Sequence, residues 1–581
     1  MNYRSIIKAK IINESYAMLG FKDGGIAKEI MQILQAHPKN YEFNPMYKKG
    51  LWDGYTKFYK VKNGYMLINK GLLEVVKDYC EENYIKFNIV NQDNFEYNKN
   101  HVNEFIKKLN LELTPRDYQL KAVHIALKYR RGIFGMATGS GKSLTQAIIA
   151  LYLAKEKNKK VVLIVPNVGL VKQFENDFKE YLKNSSLLDW FNNNFHTIYA
   201  GKPKHFEKPI TLTTWQSIYK SEELFEDVNC IIVDEVQQAK NMEGVLNDIL
   251  VPYSINTKYK LGFTGSIPKG RVNELTLIGA FGKIHKIVST KDLIDMGYGT
   301  PIEVIIMMLN YPKNISHLIT SLSYNQEKKF LNNFSKRNEY IKDLALKVTE
   351  KFGNTLILFE NIEQGYNLVE QFIKGNFLPK ITYKQLEKCN SEIVYTNNIS
   401  EKSLKTVEKF NKKYNKNIIL KSIEEKNIFF IYGEVDADDR EIIRQKVENK
   451  EKAIIIANYK TFSVGINIKN LHNLILASST KGFERIVQSL GRTIRKLSGK
   501  EKVRIWDIVD NFSKGKQKNY SLKHLEERLN IYLEEEHPIK QKDINFNVNI
   551  EEFKLEYSKI LNISTKDNSN GENNINKIFE F

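Results

Sequence analysis

The chain has 581 residues, room for three to five domains at roughly 100–200 residues each. Lys and Arg total 88 against 68 Asp and Glu, a formal charge of +20 that points to a polyanionic partner, although a generally Lys- and Asn-rich composition gives the same numbers. Three scattered cysteines, Cys80, Cys230 and Cys389, exclude a disulfide framework or a CxxC zinc site, and no run approaches about 20 apolar residues, so no membrane span or apolar leader is expected.

Residues 1–110 read as a small α+β accessory domain, with short strand-like runs broken by Gly and Asn turns. Between Tyr41 and Gly71, Tyr41, Phe43, Tyr47, Trp52, Tyr55, Phe58, Tyr59 and Tyr65 interleave with Lys48, Lys49, Lys57, Lys60 and Lys62. Two readings stand: rings and cations presented to nucleic acid, or the core of a β-rich domain with lysines on its wet face. From 111 to 300, short β-branched runs (161–165, 211–213, 231–233) alternate with helical stretches and have the continuous apolar character of buried parallel strands. The pattern returns at 355–375 and 428–512, with strand candidates at 355–359, 428–432, 453–457, 474–477 and 503–508. This alternation predicts two α/β domains, each a parallel sheet with helices on both faces. Residues 301–350, helical from about 324 to 351, read as a connecting helical segment. A second α/β domain spans 351–515, interrupted by a Lys-, Asn- and Glu-rich insertion at 376–427 that is expected to be ordered only in part. Residues 516–581 read as a helical extension with a disordered tail.

The sharpest motif is Ala137-Thr138-Gly139-Ser140-Gly141-Lys142-Ser143, between a short apolar run and a helical stretch. Glycines let successive backbone N–H groups curl around a phosphate at the positive end of a helix. Lys142 then reaches the β- and γ-phosphates and the Ser143 hydroxyl holds Mg²⁺. Met136 stands where the generic GxxxxGK[ST] pattern has its first glycine. At 92 residues past Lys142, the apolar run 231–233 ends in Asp234-Glu235-Val236-Gln237. In a P-loop nucleotidase such a pair supplies a Mg²⁺ carboxylate, Asp234, and a water-orienting carboxylate, Glu235. Near the end of the second domain, Arg492 and Arg495 are three apart, on one face if helical. They are candidates for arginines acting on the γ-phosphate; a basic surface helix is the plainer alternative.

Together these motifs resemble those of superfamily 2 helicases, and more closely the UvsW-type DNA helicases of tailed phages, within the XPB-like and restriction-translocase group. Arg116-Asp117-Tyr118-Gln119 matches the adenine-binding Gln motif, and 137–143 matches motif I. Val165-Pro166-Asn167 and Thr213-Thr214-Trp215-Gln216 match motifs Ia and Ib, which implies strand contacts by Pro166, Asn167, Thr214 and Gln216. Residues 234–237 match motif II and Thr264-Gly265-Ser266 motif III; 355–360 and 461–467 resemble motifs IV and V, implying roles for Thr461 at the strand and Gly465 at the nucleotide; 488–495 match motif VI. Phe43 to Gly54 resembles the group's accessory domain, and 519–532 its C-terminal end. The departures are Gln237, where the group often has His, the long 376–427 insertion, and the stretch past about 545.

The resemblance implies an α/β chain with two RecA-like domains facing each other across an ATP cleft. The catalytic set is then Lys142, Asp234, Glu235, Gln237, Arg492 and Arg495, with Mg²⁺ on Ser143 and Asp234. Nucleotide contacts are expected from Arg116, Gln119, Thr138, Gly139, Ser140, Gly141, Lys142, Ser143, Gly465, Arg492 and Arg495. The implied activity is 3′-to-5′ movement on forked or branched DNA, single-/double-strand junctions and R-loops, with RNA as a partner in the last. A monomer in the cytoplasm is expected, the bacterial host's if a phage encodes the chain. The rivals are a restriction-type duplex translocase, an RNA helicase, and a strand-annealing protein with weak ATPase.

Overall fold

In the computed structural model the described residues run from 3 to 562, except 92–94, 200–204, 240–243, 269, 398, 434, 436, 460, 462–467, 469, 479–500 and 514. The chain divides into two compact units, 1–289 and 290–581.

The first unit holds two sheets. The N-terminal one orders its strands Tyr59–Lys62, Tyr65–Asn69, Tyr16–Phe21, Ser5–Ile11 and Ile85–Ile89; only the last pairing is parallel. Alternation puts Ile7, Ala9, Ala17, Leu19, Met66 and Ile68 inward against the helices Gly24–Ile33 and Leu73–Glu82. The aromatic–basic stretch is mostly outside this core. Phe58 is buried, but Phe43, Tyr47 and Tyr65 are exposed, and His37 stacks between Tyr41 and Tyr55 at ring-centroid distances of 3.9 Å each.

The second sheet is entirely parallel, in the order Phe195–Ile198, Ile210–Thr214, Val161–Val165, Cys230–Asp234, Tyr259–Thr264, Arg131–Met136, Ile284–Val288. All of Val161–Val165 and Cys230–Asp234 is buried, as the unbroken apolar runs require when helices cover both faces. Each such Val, Leu or Ile contributes about 1.5–3 kcal/mol.

The two sheets share a seam. Leu275 and Ile278, on the helix Arg271–Phe281, belong to the N-terminal core. Beneath them Arg131 donates to the carbonyls of Glu14 and Ala280, both at 2.6 Å, and the buried Lys260 ammonium donates to Ser15 Oγ and the Leu250 carbonyl, both at 2.8 Å. Lys70 pairs with the Glu14 carboxylate at 2.7 Å. Burial pushes the Lys260 ammonium well below its usual range and Arg131 down to about 10.

The second unit carries another all-parallel sheet, ordered Ile428–Ile431, Ile454–Asn458, Thr355–Phe359, Asn473–Leu476, Val503–Asn511, Ile302–Asn310, Ile539–Asn545. Four expectations are corrected here. Residues 302–310, read as the start of a helical connection, form a strand with neighbours on both sides, because the run Ile302 to Leu309 is apolar enough to be buried from both faces. The helical stretch after it is two helices, Tyr324–Asn333 and Ser335–Phe352, broken at the extended Phe334. The C-terminal extension contributes the edge strand Ile539–Asn545 and a helix, Ile550–Leu561, whose Phe553 and Tyr557 join the main core. The expected tail from 563 lies outside the described residues.

The insertion is the fourth correction: it is folded. The strands Asn376–Phe377, Ile393–Thr396 and Ile419–Ser422 form a small parallel sheet, and Leu386, Val394, Val407, Phe410 and Ile418 make its own core. Few apolar residues suffice because Phe377 also packs on Phe430 of the main sheet, ring centroids 5.4 Å apart. Among the described residues no helix is long and apolar enough to cross a membrane.

Candidate ATP site

Five strands of the first unit's parallel sheet end at one edge, and a motif follows each end: 137–143 after Met136, 166–167 after Val165, 215–216 after Thr214, 235–237 after Asp234, and 265–266 after Thr264. Parallel sheets place ligands at this carboxyl edge.

The loop from 137 to 141 leads into the helix Lys142–Leu151, whose residues Leu144 to Leu151 are all buried and fix its direction. Gly139 and Gly141 have φ of 83° and 79°, in the left-handed region that favours glycine. At Gly141 a Cβ would also lie 2.2 Å from Gln119 Nε2. Gln119 is buried, and its amide donates to the carbonyls of Ser140 (2.8 Å) and Gly141 (3.3 Å), while its oxygen accepts from the Arg116 N–H at 2.8 Å. Arg116 donates to the Tyr118 hydroxyl at 2.7 Å, which donates to the Ser140 carbonyl at 2.9 Å. Both members of the Gln motif are therefore fastened to the loop.

Lys142 Nζ donates to the Met136 carbonyl at 3.2 Å, and the buried Ser140 hydroxyl has no partner among the described residues. The Ser143 hydroxyl is 2.8 Å from that of Tyr181. Asp234 is buried and accepts from Gln146 Nε2 at 3.0 Å. Burial first, then the Glu235 charge, push the Asp234 carboxyl up to about 6, with Lys142 opposing. Glu235 sits at φ 53°, a strained setting for a non-glycine residue at a strand end. Its carboxylate accepts from Gln237 Nε2 at 2.6 Å, and Gln237 Oε1 accepts from the buried Thr264 hydroxyl at 2.7 Å. That hydroxyl also lies 2.6 Å from the Ser266 carbonyl, so one proton serves two acceptors. A Cβ at Gly265 would stand 2.9 Å from Thr138 Oγ1 and 3.4 Å from Lys142 Nζ.

The structure thus brings Thr138, Lys142, Asp234, Glu235, Gln237 and the 264–266 loop together. A hydroxyl at Ser143 and a buried carboxylate with a like-charged neighbour at Asp234 are an all-oxygen donor set that fits Mg²⁺. Gln146 and Tyr181 are further members. Gln146 was findable, being one turn past Lys142 on the same helix face; Tyr181, far along the chain and in no motif, gave no signal. The expected strand contacts divide. Gln216 is exposed and Pro166 half-buried, and Asn167 caps the helix Val168–Tyr181 through the Leu170 N–H at 3.0 Å. Thr214 is buried against Ser217 (2.9 Å) and Thr461 is buried, so neither side chain is presented to a strand. Gly465, Arg492 and Arg495 lie outside the described residues.

Comparison with known proteins places this geometry in a class. A family model described as the res subunit of type III restriction enzymes matches residues 112–269, and the helicase conserved C-terminal domain matches 373–496. The ATP-dependent DNA helicase uvsW of Enterobacteria phage T4 is 27% identical over 540 residues, covering 89% of this chain and 95% of that protein. The DNA 3′-5′ translocase XPB2 of Sulfurisphaera tokodaii is 24% identical over 391 residues, covering 66% of this chain and 78% of that protein. For the fold, a fragment described as an HsdR subunit of a type I restriction enzyme from Vibrio vulnificus superposes with a TM-score of 0.50 at 15% identity, covering 85% of this chain and 90% of that one. The chain is a superfamily 2 helicase, an enzyme that hydrolyses ATP. Within that class it resembles the UvsW-type helicases of phages.

Proposed function

We propose that the chain couples ATP hydrolysis to movement on DNA and remodels branched DNA or R-loops. The observation that carries this reading is the hydrogen-bonded path from Glu235 through Gln237 to Thr264, which ties the carboxylate beside the P-loop to the 264–266 loop. The likeness to the T4 DNA helicase supports DNA as the track.

In this reading the backbone N–H groups of 139–143 and the Lys142 ammonium hold the β- and γ-phosphates. Ser143 and Asp234 hold Mg²⁺, which when bound offsets phosphate charge. Glu235 orients the attacking water and accepts its proton. Gln237 reports the state of Glu235 to Thr264. Arg116 and Gln119 set the shape of the loop from the adenine side, with Thr138 beside it. Gly465, Arg492 and Arg495 complete the nucleotide contacts; Arg492 and Arg495 act on the γ-phosphate, where an arginine contributes a factor of roughly 10³–10⁵. Pro166, Asn167 and Gln216 meet the strand, while Thr214 and Thr461 shape the backbone beneath it.

The test is ATP hydrolysis measured with no nucleic acid, single-stranded DNA, forked DNA and RNA, with Lys142→Ala as the blank. Stimulation greatest with forked DNA and no turnover in Lys142→Ala is the expected outcome. Stimulation by RNA alone would move the protein to another track, and no turnover under any condition would end the motor reading.

A further inference from the structure

The insertion at 376–427 has a face that neither the ATP site nor the main sheet uses. Its longest helix, Glu401–Tyr414, is capped by Ser400 and turns Ser403, Val407 and Phe410 into the module's core. At about 100° per residue, Lys402, Lys405, Lys409, Lys412 and Lys413 all fall within an arc of about 100° on the opposite side. All five are exposed. Like charges at i,i+3 and i,i+4 spacing weaken a helix, so a row of them is disfavoured without an anionic partner. Among the described residues only Lys405 of the five has a carboxylate at salt-bridge distance, Glu401 at 2.6 Å. Lys413 lies instead over the rings of Tyr383 and Tyr414, 5.8 and 4.8 Å from their centroids. Tyr383, Lys402, Lys405 and Lys409 line a concavity beside the helix.

We propose that this module is a second DNA-docking element, in which the Lys402–Lys413 face takes the phosphate backbone of duplex DNA. The row is about 17 Å long, and a duplex presents one negative charge per about 1.7 Å of its axis, so about ten phosphate charges lie along the length of the row and each of its lysines meets charge of the opposite sign. A duplex backbone suits the face better than unpaired bases do. Stacking on bases needs open ring faces, and Lys413 already covers Tyr383 and Tyr414. The inference rests on the reading of the chain as a DNA motor and adds to it a contact that the ATP-site motifs do not supply.

The test compares the full-length triple variant Lys405→Gln/Lys409→Gln/Lys412→Gln with a control triple, Lys336→Gln/Lys347→Gln/Lys351→Gln, on the exposed side of the helix Ser335–Phe352. Gln is as good a helix former as Lys, and both triples remove the same charge. Two quantities are read: binding of a labelled forked duplex by anisotropy across a salt series, and the DNA concentration that half-saturates ATPase. For the insertion triple, half-saturation rises by about tenfold or more near 0.15 M salt, the salt slope falls by about two to three, and turnover at saturating DNA is unchanged; the control triple moves neither quantity comparably. Equal behaviour of the two triples overturns the proposal. Failure of DNA to stimulate the wild-type ATPase would instead remove the motor reading, and the anisotropy series still decides the face.

Discussion

Gln237 bonds to both Glu235 and Thr264, so its removal separates two effects that a P-loop variant merges. In Gln237→Ala the buried Thr264 hydroxyl keeps the Ser266 carbonyl, but Glu235 loses its neutral partner. ATP affinity is expected to stay within about twofold while DNA-stimulated turnover falls about tenfold or more, the split that marks an interaction made in the transition state. Gln237→His, which can donate and accept across the same gap, should recover most of the stimulation. Equal loss of affinity and turnover in Gln237→Ala would make the residue a structural prop. The residues of this site were legible where chemistry restricts the choice: glycines at left-handed φ, a lysine at a helix start, a carboxylate pair at a strand end. The Gln237 bond was foreseeable because a glutamine can both donate and accept. The fastening of Gln119 to the loop carbonyls was not, because a motif names residue types and not the rotamers that their neighbours impose.

At the scale of elements, the parallel strands were readable because burial from both faces leaves unbroken apolar runs, as in Val161–Val165 and Thr355–Phe359. Ile302–Asn310 has the same signature but was absorbed into the helical stretch that follows it. The insertion misled for the opposite reason: its helix spends most of its surface on lysines and hides only Ser403, Val407 and Phe410. Ile539–Asn545 carries Lys540, Lys542 and Asp543, as an edge strand can, and gave little apolar signal. His537, just before that strand, supplies a pH test of its docking. Burial holds its imidazole down to about 4, whereas a histidine of the unfolded chain takes its proton near pH 6.5. Its contribution is therefore full above about pH 6.5 and is lost as the pH falls towards 4. Between pH 7 and pH 5 the loss is about 2 kcal/mol. Urea unfolding of the wild type and His537→Gln at both pH values checks this: the variant's pH difference should be smaller by about that amount, and an identical difference in both would place the acid sensitivity elsewhere.

At the scale of whole domains, the N-terminal sheet and the first parallel sheet meet through a shared apolar core and a close backbone approach. A Cβ at Gly71 would lie 1.9 Å from the Ile278 carbonyl oxygen and 2.8 Å from the Gly282 nitrogen, so backbone meets backbone there. Gly71→Ala is therefore expected to part the seam, at a cost of about 1–3 kcal/mol or more. Hydrogen exchange should quicken in Ser5–Ile11 and Tyr65–Asn69 while Val161–Val165 keeps its protection; unchanged exchange in all three would mean that the seam yields elsewhere. The same seam bears on how such a chain can be cut and recombined. Residues 1–110 expressed alone would uncover the apolar surface that Leu275 and Ile278 now close and would leave the Glu14 carbonyl without its Arg131 donor. A working transplant of the aromatic–basic face into another motor would have to carry the helix Arg271–Phe281 with it, together with Arg131 and Lys260, so the inheritable cassette is larger than the domain that its sequence outlines.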